Sequence, residues 1–295
     1  MEDTVIYVFP NQLKSDYEGY SYLVNLYHAT KDIKNKTIVI DFNKGYWFEA
    51  NLCSALGAIL HKIQDNNNQF QLINIEKQVE TIFKKNLFLL NFEGDYAEDT
   101  HSTTIKFRRF DINAEKDFIE YLNRELLSQP DLPNMSPLLK KKINNSIYEI
   151  YSNAYTHGGC NYVYTCGQYY PNRKVLDFTM ADLGTTIRSN VRKFLKDKTL
   201  SGSQTISWAV EEGNTTKTGS HPGGLGLSLI REFLKLNKGK IQIISSNGFW
   251  EEKKGHIFAS DYDGAFIGTI VNMEFNLLDS NSYALKSEIS PEEVF

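Results

Sequence analysis

At 295 residues, with 41% hydrophobic and 13% aromatic residues, the chain is long enough for packed cores and for more than one domain of ordinary size. Its 32 basic and 36 acidic residues leave a net charge of −4, which excludes a global electrostatic case for nucleic acid or an anionic membrane surface as partner. No apolar run approaches a membrane span and residues 1–4 lack the basic start of a signal peptide, so a cytoplasmic protein is expected.

The first part of the chain, to about residue 98, reads as a small α/β unit. Residues 5–9 and 37–42 are short β-branched and aromatic runs, residues 51–63 carry a helical pattern, and residues 71–75 read as a further strand. Asp41-Phe42, a loop, and then a helix of small residues opening at Ala50 resemble the STAS domain of anti-sigma-factor antagonists. In that family a serine at the start of this helix can be phosphorylated. The corresponding stretch here, from Phe48 to Asn51, has no serine, so a scaffold or partner-docking role is expected.

Residues 91–104 are acidic and contain a glycine, which marks a domain boundary. Residues 104–110 then alternate as a strand, and residues 111–127 read as a helix turning Phe118, Ile119, Leu122 and Leu126 to a core. Ser136-Pro137 supplies an N-cap and a first-turn proline for the next helix. Its apolar stripe is Leu139, Ile143, Ile147, Ile150 and Ala154, and its polar face carries Glu149, Asn153 and His157 at intervals of four. Each step of four turns the side chain by roughly 40°, so the three climb one side of the helix. A carboxylate can accept a proton and an amide oxygen can ligate a divalent cation. Taken alone, these three read better as a solvated helix face.

Two strands follow, residues 162–167 and 174–180, the second running into Asp182 and Gly184 at a turn. An aspartate there can accept a hydrogen bond from the exocyclic amine of a base, and the glycine lets a ring approach. Residues 187–195 and 206–212 read as helices, while residues 213–222 have little to pack and are expected to be mobile; Lys217 there reads equally as a lysine able to reach a phosphate and as a solvated loop lysine. His221 has no second ligand at metal spacing. From Gly223 three glycines open an amphipathic helix, the kind of start at which backbone N–H groups bind phosphate. Residues 239–245, 257–259 and 269–277 close the sheet, and residues 279–295 form a flexible acidic tail. Cys53, Cys160 and Cys166 form no C-x-x-C pair and are odd in number, as expected of reduced, buried thiols.

In order and spacing, these stretches resemble the nucleotide-binding motifs of the GHKL ATPases, the Bergerat-fold family of gyrase B, MutL, histidine kinases and anti-sigma-factor kinases. E-x-x-x-N is matched by Glu149 and Asn153, extended by His157. D-x-G-x-G is matched by Asp182 and Gly184, with Thr186 in place of the second glycine. G-x-G-L is matched by Gly224, Leu225, Gly226 and Leu227, and the late-strand threonine that supports the aspartate by Thr269. The resemblance covers roughly residues 104–278. It implies an α/β (α+β) sandwich with helices on one face of a mixed sheet, ATP and Mg²⁺ as ligands, Asn153 on the metal and Glu149 as general base. It also implies that His157, Asp182, Gly184, Thr186, Lys217, Thr269 and the stretch from Gly223 to Leu227 bind ATP. Three functions follow from it: a slow, lid-gated ATPase signalling to a protein partner through the STAS-like half or the lid, a serine/threonine protein kinase of the anti-sigma type, or a non-hydrolysing nucleotide sensor. A homodimer stays open. A histidine-kinase role fits poorly, because His101 lies in a polar, strand-like stretch and no histidine-bearing helix precedes Glu149.

Overall fold

Aspartate at position 16 accepts a hydrogen bond from the Gly19 amide (2.9 Å) and starts helix α1 (Tyr17–Thr30), whose Tyr20, Leu23, Val24 and Tyr27 are buried at helical spacing. The computed structural model describes residues 4–216 and 225–288. In its N-terminal layer, strands β1 (Thr4–Val8), β2 (Thr37–Asp41) and β3 (Gln69–Ile73) form a parallel sheet in that order. Helix α2 (Cys53–Asp65) is apolar and buried on nearly every side, as a helix between two sheets must be, and α3 (Lys77–Lys85) follows.

The second sheet has five strands: β4 (Thr104–Asp111), β5 (Tyr162–Tyr170), β6 (Val175–Asp182), β7 (Lys240–Lys253) and β8 (His256–Asn276). Their order is β7-β8-β6-β5-β4, and every pairing is antiparallel. With a three-stranded parallel and a five-stranded antiparallel sheet as its main sheets, beside two short two-stranded pairings, the chain is of the α+β class. Helices α4 (Glu115–Tyr121), α5 (Pro137–Thr156) and α8 (Leu225–Leu236) cover one face of the five-stranded sheet, around Phe118, Ile147, Phe178 and Met273. The other face is covered by α1 and α2 around Tyr20, Leu56, Tyr164 and Ile270. Residues 1–98 and 104–278, expected as separate domains, thus share a core. Side chains alternate across the central strands: on β6, Phe178 and Met180 face the helices while Thr179 and Ala181 face the N-terminal layer.

Helix α5 forms as its cap predicts, the Ser136 hydroxyl accepting from the Leu139 amide at 3.1 Å. The helix expected over residues 111–127 is α-helical only through Tyr121 and then widens into a π turn, Leu122–Leu126. The three late strands expected are one long hairpin, β7 and β8, interrupted by register shifts at Ser245, Ser246 and Gly248. Part of the expected flexible tail is docked: Ser282–Tyr283 pairs with Asn134–Met135, and the Ser136 amide donates to the Tyr283 carbonyl at 2.8 Å. Residues 289–295 lie outside the described residues. Cys53, Cys160 and Cys166 are all buried and free. Among the described residues no helix is long and apolar enough to cross a membrane.

Candidate nucleotide site

The C-terminal half of α5 faces the end of β6 across a cleft of about 170 Å³. Its floor is Met180, Ile243 and Val271, its polar groups include Asn153, His157, Asp182 and Thr269, and its far wall comes from two helices, α6 (Ile187–Leu195) and α7 (Gly202–Ala209), with Asn214, Thr215 and Thr216 beyond. Leu227 enters from α8. An apolar floor with a few convergent polar groups is the usual composition of a small-ligand site.

Asp182 is buried at one end of this cleft. Burial pushes its carboxyl up to about 7, against the backbone N–H groups of Gly184 and Thr269, whose hydrogen bonds favour the carboxylate. The Gly184 amide lies 2.7 Å from Asp182 Oδ1. A side chain at Gly184 would fall 2.6 Å from the carbonyl oxygen of Gly158, and the Thr185 amide bonds that same oxygen at 2.7 Å, so the turn is clamped onto the end of α5. Gly268 holds φ +85°, and a Cβ there would lie 2.1 Å from the Asp182 carbonyl oxygen. Gly268→Ala is therefore expected to cost about 2–4 kcal/mol, the sum of a forbidden backbone angle and a backbone clash. A denaturation midpoint equal to the parent's would contradict that geometry.

Asn153 and His157 line the cleft from α5. The Oδ1 of Asn153 is buried and lacks a hydrogen-bond partner. Such an orphan calls for an explanation, and a bound cation is one. The carbonyl of His157 accepts from Asn190 Nδ2 at 3.1 Å, and its Nδ1 lies 3.5 Å from the Thr216 hydroxyl, so Thr216, within the stretch expected to be mobile, already touches the end of α5.

Other predicted residues are placed differently. Thr186 caps α6, its hydroxyl accepting from the Ser189 amide at 3.1 Å, and it is Thr185 that lines the cleft. Glu149 borders an adjoining groove of about 610 Å³ between α5 and α8, beside Ser146, Glu212 and Ser228. Gly184 shapes the turn from behind, and Leu225 and Gly226 open α8. Lys217, Gly223 and Gly224 lie outside the described residues.

Three contributors escaped sequence reasoning. The Ser245 hydroxyl donates to the Gly268 carbonyl at 2.7 Å and accepts from the Ile187 amide at 2.9 Å, fastening β7, β8 and α6 beneath Asp182. A serine inside an apolar strand run was the available signal. Asn190 and Trp208, on α6 and α7, had no distinguishing pattern. Among the described residues no group of three or more His, Cys, Asp or Glu is arranged to hold a metal. No protein-family model and no curated protein matches the sequence.

Proposed function

We propose that the cleft binds ATP with Mg²⁺ and that the protein is a GHKL-type, slow ATPase of the cytoplasm acting as a nucleotide-gated switch towards a protein partner. The observation that carries this is the convergence of a buried carboxyl, Asp182, and an orphaned buried amide oxygen, Asn153 Oδ1, in one apolar cleft. Asp182 would take the adenine amine with Thr269 behind it. Asn153 would hold Mg²⁺, which supplies neutralisation of the phosphate charge. Glu149, one turn from Asn153, would face the phosphate end from the adjoining groove and accept a proton. The stretch from Gly223 to Leu227 would offer amides to the phosphates, and His157 and Lys217 would close over them. The N-terminal layer, read as STAS-like, would dock the partner.

A second reading, a serine/threonine kinase, draws on the size of the groove at Glu149, which has room for a hydroxyl-bearing segment of another protein beside the phosphates. Incubation with γ-labelled ATP and Mg²⁺, alone and with cell extract, tests both. Saturable, Mg²⁺-dependent binding with release of free phosphate is the expected result. Label on a protein would favour the kinase, and absence of ATP binding would sink the proposal.

A further inference from the structure

On the sheet face opposite the cleft, two cross-strand rows are polar where a core is expected. Lys240, Glu274, Asp177 and Gln168 form one row across β7, β8, β6 and β5, and Gln242, Asn272, Thr179 and Cys166 form the next. Asp177, Thr179, Gln242 and Asn272 are fully buried beneath the N-terminal layer. That layer contributes Ser15, Tyr20, Glu49 and Asn51. Asn51 Nδ2 is within 2.7 Å of the Ser15 hydroxyl, 3.0 Å of the Thr179 hydroxyl and 3.2 Å of Asn272 Oδ1. Lys240 Nζ and Gln242 Nε2 both donate to the Ser15 carbonyl at 3.0 Å, and Asn272 Nδ2 donates to Asp177 Oδ1 at 3.1 Å. The Ser15 amide and Arg173 donate to the two oxygens of Glu49, at 2.7 and 2.6 Å.

The charges here do not balance. Glu49, Asp177 and Glu274 meet only Lys240, 3.2 Å from Glu274, and Arg173, with Glu251 touching the cluster's edge through Gln242. Lys240 Nζ and Arg173 face Glu274 Oε2, at 3.2 and 3.6 Å, whereas Asn51 Oδ1 and Asp177 Oδ2 are buried without hydrogen-bond partners, and both are acceptors. The hydroxyls of Tyr20 and Tyr170, which lie near the same carboxylates and are also unpartnered, supply donors enough for both acceptors. Three carboxyls against two cations still leave one excess negative charge, with Asp177 the buried carboxyl that no cation among the described residues contacts within ion-pair distance, and a single proton supplies the neutrality.

We propose that this cluster is a proton-operated latch, in which one proton retained among the buried carboxyls seats the N-terminal layer on β6, β7 and β8, and loss of that proton loosens the seat. Asp177 is the carboxyl best placed to hold it: burial, reinforced by Glu274 and Glu49 and opposed by Lys240 and the Asn272 amide, pushes it up to about 7. The inference goes beyond nucleotide binding and does not depend on it.

An acid whose pKa is raised in the closed state releases its proton on opening, so opening is favoured as pH rises from the ordinary carboxyl value to about 7 and is level beyond. Hydrogen exchange of residues 12–27 and 47–60 in the full chain, corrected for intrinsic exchange, reads this directly. Protection is expected to fall by about tenfold per pH unit between about pH 5 and 6.5 and to level off above about 7.5. Asp177→Asn is expected to flatten that slope, while Asp182→Asn, which changes the cleft face of the same strand, is expected to keep it. A flat parent profile, or a slope that survives Asp177→Asn, overturns the latch. Should Asp177→Asn fail to fold, Glu274→Gln serves instead, because it removes one negative charge without removing the cluster. The infrared band of a protonated carboxyl in the parent, titrating away near neutral pH, is the direct sign of the retained proton, and its absence below pH 6 also overturns the proposal.

Discussion

Asp182→Asn is expected to reduce ATP affinity by about 10²-fold or more while the chain stays folded, since a site built to hydrogen-bond a ligand penalises an unpaired buried partner heavily. The carboxyl already accepts from the amides of Gly184 and Thr269 and keeps acceptor capacity for the adenine amine. An asparagine has one acceptor oxygen. Its NH₂ must point either at a backbone N–H or at the ligand amine, a donor against a donor. Because burial holds the carboxyl near 7, part of it is protonated at neutral pH, and the carboxylate is the form that accepts from the amine. Parent affinity is therefore expected to rise as pH goes from about 6 to about 8, and the variant to lose that rise. The stability sign is opposite: burying this carboxylate costs more as pH climbs from its ordinary value to about 7, so substitution relieves the fold at high pH. Calorimetric titration at three pH values decides it. Parent-like affinity in a folded Asp182→Asn protein would remove Asp182 from the site.

The second large effect separates binding from chemistry on α5. Asn153→Ala deletes the orphaned oxygen and is expected to weaken Mg²⁺-dependent ATP binding itself. Glu149→Gln keeps shape and hydrogen bonding but cannot accept the proton, so affinity is expected to stay while turnover falls by about 10²–10⁴-fold. The geometry sharpens this expectation, because Asn153 lines the cleft and Glu149 the adjoining groove. Equilibrium binding and phosphate release, measured on both variants, give the comparison. If Glu149→Gln turns ATP over at the parent rate, Glu149 is not the base and a non-hydrolysing sensor becomes the better account.

How far the chain could be read depended on whether a signal was local. Helix α5 was legible because Ser136, Pro137 and the stripe from Leu139 to Ala154 all lie within one helix, and α6 was legible to its ends for the same reason. Helix α1 was missed, although Asp16 and the spacing of Tyr20, Leu23, Val24 and Tyr27 carried it. Strands β7 and β8 were broken into pieces because the stretches between the expected strands, among them Ser246-Asn247-Gly248 and Asp261 to Gly268, are polar and glycine-bearing and read as turns, whereas they are irregular parts of one long hairpin. The partners of the buried Gln242 and Asn272, Ser15 and Asn51, come from far along the chain, so no window could reveal them. The separation of Glu149 from Asn153 follows from the roughly 40° advance between them, enough to turn one into the groove and the other into the cleft. Thr186 looked like part of a base-binding loop by spacing, yet a threonine preceding a helix is also a cap, and the cap is what formed.

The shared core imposes an order on biosynthesis. Tyr17 bonds the Asp261 carbonyl and Ser15 the Lys240 ammonium, contacts spanning 244 and 225 residues. The N-terminal layer leaves the ribosome first, but the strands that complete its core are translated on the order of ten seconds or more later. Until then Tyr20, Leu56 and Ile59 have no second wall, and Glu49 and Asn51 remain hydrated. Maturation of this protein thus ends at its amino terminus, by a slow, long-range closure that leaves a nascent apolar surface for chaperones to hold.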